Sequence, residues 1–240
     1  WTDSDKPHGS FVFLPDGKIF GRVFYPDLQD YKVDKITVTG DSIEFVNHSE
    51  NRSFEEAFSR NIQAFGIRTS TILSNLKVGV IGCSGTGSPL IEQLARLGVG
   101  ELLLIDPDEV EHKNLNRILN STKADAEKRI AKVEMFKRVL KKIDIGTKVE
   151  VVKANLYDAG IDNLKELASC DVIFGCVDSV DGRHLLSHLC TYYLVPYFDV
   201  GVKLSADGEG GIDSICGTYN YLQPGKSSLF TRGLYTMDDL

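Results

Sequence analysis

From Lys77 onward, short strand-like runs alternate with segments of helical periodicity. Residues 78–81, 102–105, 148–153 and 171–176 are too short for ordinary helices and rich in aliphatic or β-branched side chains, so they read as strands. Between the first two, Leu90, Leu94, Leu97 and Val99 recur at mostly helical spacing. Residues 124–142 then read as one long helix, 161–169 as a shorter one, and a helix starting near Gly182 runs to Tyr193. A strand over 196–202, a turn at Gly208–Gly211 and a strand over 212–219 close the series, the last free to lie antiparallel. This order predicts an α/β fold, a Rossmann-like, mainly parallel sheet with helices on both faces.

The chain before it has a different period. Residues 10–13 and 18–24 read as two strands around Pro15-Asp16-Gly17, and 35–39 with 42–46 as a second pair around Gly40-Asp41. Two hairpins are too little for an independent core, so residues 1–50 are expected to be a small β-rich segment ahead of a main domain over 51–240. Residues 51–65 then form an amphipathic helix, with Ser53 as its N-cap, Glu55 and Glu56 in the first turn and Gly66 as its stop. A short helix over 69–76 leads into the first strand of the sheet.

Composition narrows the class. With 240 residues, 42% hydrophobic and 25% charged, the chain can bury one large core or somewhat more. The net charge of −7 argues against a nucleic-acid surface, and no apolar run is long enough to span a membrane. Five unevenly spaced cysteines and no visible signal peptide fit free thiols in a reducing, cytoplasmic setting. Starting at Trp1 and ending in Asp-Asp-Leu, the sequence reads as a piece of a longer protein.

The chemistry centres on Gly82-Cys83-Ser84-Gly85-Thr86-Gly87, which joins the first strand to the first helix. Such a turn lets backbone N–H groups approach a phosphate at the positive end of a helix. Asp106, at the carboxyl end of the next strand, is placed to accept hydrogen bonds from a ribose. Taken alone, this arrangement suits NAD, FAD, S-adenosylmethionine or ATP.

The segment beginning at Asp106 is more specific. Asp106-Pro107-Asp108-Glu109-Val110 and Asn114-Leu115-Asn116-Arg117 resemble the ThiF/MoeB/HesA superfamily, the adenylating domains of ubiquitin-activating enzymes and their bacterial relatives. The likeness covers roughly 60–212. It implies ATP and Mg²⁺ as cofactors, a ubiquitin-like or sulfur-carrier protein as partner, and a homodimer. By residue, it implies that Gly82, Gly85, Gly87, Asp106, Asp108 and Asn114 bind the nucleotide. Arg117 and Lys132 neutralise its phosphates, with Lys128 a competitor for the lysine position. Asp178 holds the magnesium ion, and Arg60 reaches the triphosphate of the partner protomer. Asp178 or Asp181 could instead be a plain N-cap.

Departures bear on the reading. Ser84 stands where many relatives have glycine. Ser228 and Thr231 occupy a Cys-x-x-Cys position, so no structural zinc is expected. Cys83, Cys170, Cys176, Cys190 and Cys216 all read as small core hydrophobes, leaving a thioester cysteine unassigned. His184 and His188, one turn apart, read as a packed or surface pair, since no His-Glu-x-x-His pattern surrounds them. The segment HGSFVFLPDGKIFGRVF resembles the distal part of a JAB/MPN-type domain without its metal motif, an unrelated β extension being the alternative. Competing functions are an NAD(P)-dependent oxidoreductase, a non-catalytic dimerisation or scaffold module, and adenylation of a small-molecule or RNA carboxylate.

Overall fold

The computed structural model describes residues 5–27, 29–47 and 54–240, which divide into two compact units, 1–52 and 53–240. Ser53, expected as a helix cap, lies outside the described residues. In the first unit, β1 (His8–Phe13), β2 (Ile19–Phe24) and β3 (Asp30–Lys32) form an antiparallel sheet in that order. Its first turn is closed by Gly17 at φ +83° and by the Lys18 N–H donating to Asp16 Oδ1 at 3.2 Å. β4 (Lys35–Thr39) and β5 (Ile43–Asn47) make a separate hairpin. β3 escapes sequence reading because three exposed residues carry no alternation.

The second unit opens with a 3₁₀ turn and two short helices, α1 (Ser59–Phe65) and α2 (Ile67–Ser74). Gly66, at φ +82°, separates them as the expected stop. Next come β6 (Lys77–Ile81), α3 (Gly87–Leu97), β7 (Glu101–Ile105), α4 (Lys123–Glu127), α5 (Lys132–Ile143), β8 (Lys148–Val152) and α6 (Gly160–Ala168). β9 (Val172–Gly175), α7 (Val180–Tyr193), β10 (Tyr197–Ala206) and β11 (Ile212–Leu222) complete it. The sheet order is β11-β10-β9-β6-β7-β8, parallel except for the antiparallel β10–β11 pair. The chain thus winds outward from β6 through β7 and β8, then returns to β6 and winds the other way. The crevice between the carboxyl ends of β6 and β9 is the switch point where ligands of such sheets bind.

Strand alternation sets the core. Leu103, Ile105, Ile173 and Tyr197 join one buried cluster with Leu167 of α6 and Leu186 of α7. Leu102 and Leu104 point to the opposite face and are buried there, and Ile91 of α3 and Phe136 of α5 are buried as well. At the amino end of the strands, the Lys77 ammonium is ringed by Glu101 (2.6 Å), Glu150 (3.5 Å) and Glu166. The Asp171 carboxylate adds a bond to the backbone, its Oδ2 accepting from Lys77 N at 2.8 Å.

Two expectations fail. The helix expected over 51–65 is, among the described residues, a 3₁₀ turn over Glu56–Phe58 followed by α1 from Ser59, because no side chain caps an earlier start. The long helix over 124–142 is two helices. α4 ends at Glu127 with Lys128 as its C-cap, Arg129 takes φ +48°, and Ala131 leaves the helical path to bridge Glu109. The Val110 N–H donates to Ile130 O at 2.8 Å and the Lys132 N–H to Asp108 O at 3.0 Å. Tertiary pairing overrides a helical pattern that continues through the break. At the start of α4, Thr122 and Asp125 cap each other's backbone, and Asp125 also accepts from Arg138 of α5 at 2.7 Å. Asp125→Ala is expected to cost about 1–2 kcal/mol in urea unfolding. Those bonds hold the Asp125 carboxyl below the usual carboxylate range, the Arg138 contact first. Its contribution is therefore full above the ordinary aspartate pKa and is lost as pH falls through the lower folded value.

Candidate active site

The switch point opens into a cleft of about 940 Å³ lined by the glycine turn, the 106–117 segment and the loop after β9. Its floor is the glycine turn. Gly82 sits at φ +92°, and a Cβ there would lie 2.5 Å from Cys176 O. A Cβ on Gly87 would lie 1.9 Å from Gly82 O. Both positions therefore exclude a side chain, and both let the turn pass beneath the start of α3. Gly85 is less constrained, since its Cβ would meet only the flexible Arg117 side chain at 3.3 Å. Ser84 fits, its carbonyl accepting from Ser88 N at 2.8 Å.

Asp106 is buried, and its carboxylate ties the turn to β7. Oδ2 accepts from Cys83 N at 2.7 Å and Oδ1 from Asp108 N at 2.8 Å. Burial pushes its pKa up, while the Cys83 N–H and the Lys132 ammonium pull it back. Lys132 Nζ lies 2.7 Å from Asp108 Oδ2 and 3.7 Å from Asp106 Oδ1. Its side chain is only 6% exposed, whereas Lys128 is exposed at the end of α4 and does not line the cleft. The helix break is what delivers Lys132 here, at the first turn of α5.

Asn114 is buried at the cleft, accepting from Glu111 N at 3.1 Å through Oδ1. Arg117 is exposed on the same wall and donates to Lys113 O at 2.8 Å. From the other side comes Asp178, exposed and, among the described residues, without a hydrogen-bond or ion-pair partner. It is not the helix cap, and neither is Asp181. Ser179 caps α7, accepting from Gly182 N at 3.2 Å, which leaves the Asp178 carboxylate free at the cleft. A lone exposed carboxylate lining this cleft fits one ligand of a Mg²⁺ ion whose other ligands are water and phosphate oxygens.

The structure brings the sequence-derived residues to this cleft or its floor, with the exception of Arg60. That arginine lies in the first turn of α1, donates to Gln63 Oε1 at 2.8 Å and does not line this chain's own cleft. Residues 154–156 do line it and were not anticipated. They come just after the carboxyl end of β8, the same positional rule that singled out Asp106 and Asp178.

The cysteines divide. Cys83, Cys170 and Cys190 are buried, and burial pushes their thiols upward, Cys170 to about 12. Half-buried Cys176 is also raised to about 12 by burial. Cys216 is exposed on β11, contrary to its reading as a core residue, because the outer half of the β10–β11 hairpin leaves the packed layers. Brief alkylation of the native protein is expected to label Cys216 first, and the three buried thiols only after unfolding, by peptide mass spectrometry. Ser228 and Thr231 bond each other's backbone, Ser228 N to Thr231 Oγ1 at 2.8 Å and Thr231 N to Ser228 Oγ at 3.2 Å. His184 pairs with Tyr235 at 3.0 Å and stacks near His188. Among the described residues, no helix is long and apolar enough to cross a membrane.

A glycine turn at a β6–β9 switch point, with two cations and an opposed free carboxylate, defines a nucleotide-binding α/β domain. The chain belongs to the ThiF family, which matches residues 58–237. It is 27% identical over 163 residues to ubiquitin-like modifier-activating enzyme 5 of Drosophila willistoni, covering 64% of this chain and 37% of that protein. It is 31% identical over 145 residues to the adenylyltransferase and sulfurtransferase MOCS3 of the same species, covering 60% of this chain and 31% of that one. The chain thus spans well under half the length of these relatives. The crystal structure of E. coli MccB with ATP shares the fold at a TM-score of 0.56 and 24% identity, covering 72% of this chain and 50% of that one. The family match gives no support to the oxidoreductase reading. It begins after the N-terminal unit, so the JAB/MPN resemblance there gains no support from it.

Proposed function

We propose that this domain uses ATP to adenylate the C-terminal carboxylate of a ubiquitin-like protein, a sulfur carrier or a peptide. A carboxylate oxygen attacks the α-phosphorus, the bond to the bridging oxygen of the β-phosphate breaks, and pyrophosphate leaves an acyl-adenylate. The nucleophile is weak and approaches a polyanion, so alignment and charge neutralisation carry the catalysis. The observation behind this reading is the convergence of Lys132, Arg117 and Asn114 on one wall with Asp178 opposite, above the glycine turn.

In this reading the backbone of Gly82–Gly87 and the start of α3 receive phosphate oxygens. Lys132 and Arg117 balance their charge, and Asn114 donates its amide beside them. Asp106 and Asp108 orient the ribose end, Asp106 chiefly by fixing the turn. Magnesium, held by Asp178, would supply further charge neutralisation on the phosphates. Arg60 acts across a homodimer.

The test is carrier-dependent ATP–pyrophosphate exchange with magnesium, offering candidate carriers and peptides. Exchange that vanishes in Asp178→Ala and Arg117→Ala supports the assignment. Binding of NAD in preference to ATP overturns it.

A further inference from the structure

Behind the Asp178 loop lies a buried polar group that the proposed chemistry does not use. Asp199 of β10 is fully buried, next to β9, where it is the parallel partner of Gly175. None of its contacts is short. Oδ1 lies 3.4 Å from Arg183 Nε and 3.5 Å from the Tyr197 hydroxyl, and Oδ2 accepts from Asn220 Nδ2 at 3.4 Å. Arg183 comes from the first turns of α7, and the same Nε donates to Val177 O at 3.2 Å. The guanidinium thus donates to the carbonyl immediately before Asp178 while standing within ion-pair distance of a buried carboxylate.

Two glycines make room for this arrangement. A Cβ on Gly201 would lie 2.5 Å from Arg183 Nη2, and one on Gly175 would lie 2.5 Å from the Tyr197 hydroxyl. The guanidinium is therefore wedged against the sheet by backbone on one side and held by Asp199 on the other. An arginine needed only for surface charge would not require a glycine beneath its tip. A buried carboxylate is costly without a partner, and this one is matched to a cation that points at the loop.

We propose that Arg183, fixed by Asp199 and seated on Gly201, is a positioning residue that sets the Val177–Ser179 loop and so aims Asp178 at the cleft. The inference rests on the reading that Asp178 holds the metal, and its test separates the two. Ser179 anchors the loop at its α7 end through Gly182 N, and Arg183 anchors it at the β9 end. Asp178 stands between two fixed points, and removing one lets its carboxylate wander while the sheet stays intact. Residues that orient a metal ligand in this way are worth about tenfold to a hundredfold in metal affinity.

The experiment compares Arg183→Gln and Gly201→Ala with the parent chain. The second keeps every charge and displaces only the guanidinium tip. Hydrogen exchange is monitored in the metal-free protein for amides 176–181, with residues 78–81 and 102–105 as internal standards. Manganese affinity is read by electron paramagnetic resonance in the presence of a non-hydrolysable ATP analogue. Both variants are expected to exchange faster at 176–181 alone, and to bind manganese about tenfold more weakly. Arg183→Lys, which keeps the charge, should recover part of both effects. If both variants leave loop exchange unchanged, or if exchange accelerates equally in the standards, the positioning role is overturned. If the loop loosens but Asp178→Asn leaves manganese affinity at the parent value, the positioning stands and the metal assignment of Asp178 falls.

Discussion

Lys132→Ala is expected to lower carrier-dependent exchange by about two to three orders of magnitude, the usual consequence of deleting one preorganised charge from a transition state. The side chain is almost wholly withdrawn from water, so its charge acts in a poorly screened setting and no solvent ion replaces it. Its removal also strips the buried Asp106 of its nearest cation. The Asp106 carboxylate keeps its bonds from the Cys83 and Asp108 N–H groups, which limits the damage to the fold. Exchange should therefore fall far more than thermal stability does. The comparison that decides it is Lys128→Ala, which leaves the cleft untouched and should keep the parent rate. A silent Lys132→Ala beside a crippled Lys128→Ala would reverse the assignment.

Gly87→Ala is expected to abolish nucleotide binding and to destabilise the main unit by about 1–3 kcal/mol, the range for forcing a methyl into a filled space. The new methyl would sit 1.9 Å from the Gly82 carbonyl, a backbone atom that cannot move without carrying the turn with it. Gly85→Ala is the matched control. Its methyl would lie 3.3 Å from the Arg117 side chain, which need give only a few tenths of an ångström and can stay at the cleft. Thermal unfolding and titration with a fluorescent ATP analogue distinguish the two. Equal tolerance at both positions would mean that the turn is more pliable than its contacts suggest.

Much of the sheet and its site could be read from residues because both are written locally. Apolar runs such as 78–81 and 102–105 leave no helical alternative, and the glycine turn with Asp106 and Asp178 falls at strand ends by position alone. The features that escaped reading depend on distant partners. The interruption at Arg129 exists because Ala131 pairs with Glu109, and nothing in the periodicity of 124–142 announces it. Capping by Ser179 rather than its acidic neighbours is settled by the backbone angle at which the chain leaves β9, since both residue types cap well. Cys216 looks like a core residue in a sequence window and is exposed because the hairpin outgrows the layers above and below it.

The ring of carboxylates around Lys77 has a bearing on how the domain comes to be folded. Its members come from β6, β7, β8 and α6, so the ring cannot close until nearly half the domain has been threaded into order. Contacts between such distant stretches are slow to form, and they tend to be consolidated only after the rate-limiting step. The ring should accordingly act as a latch on the finished domain. As contacts absent from the transition state, its ion pairs would slow escape from the native state and do little to hasten arrival there.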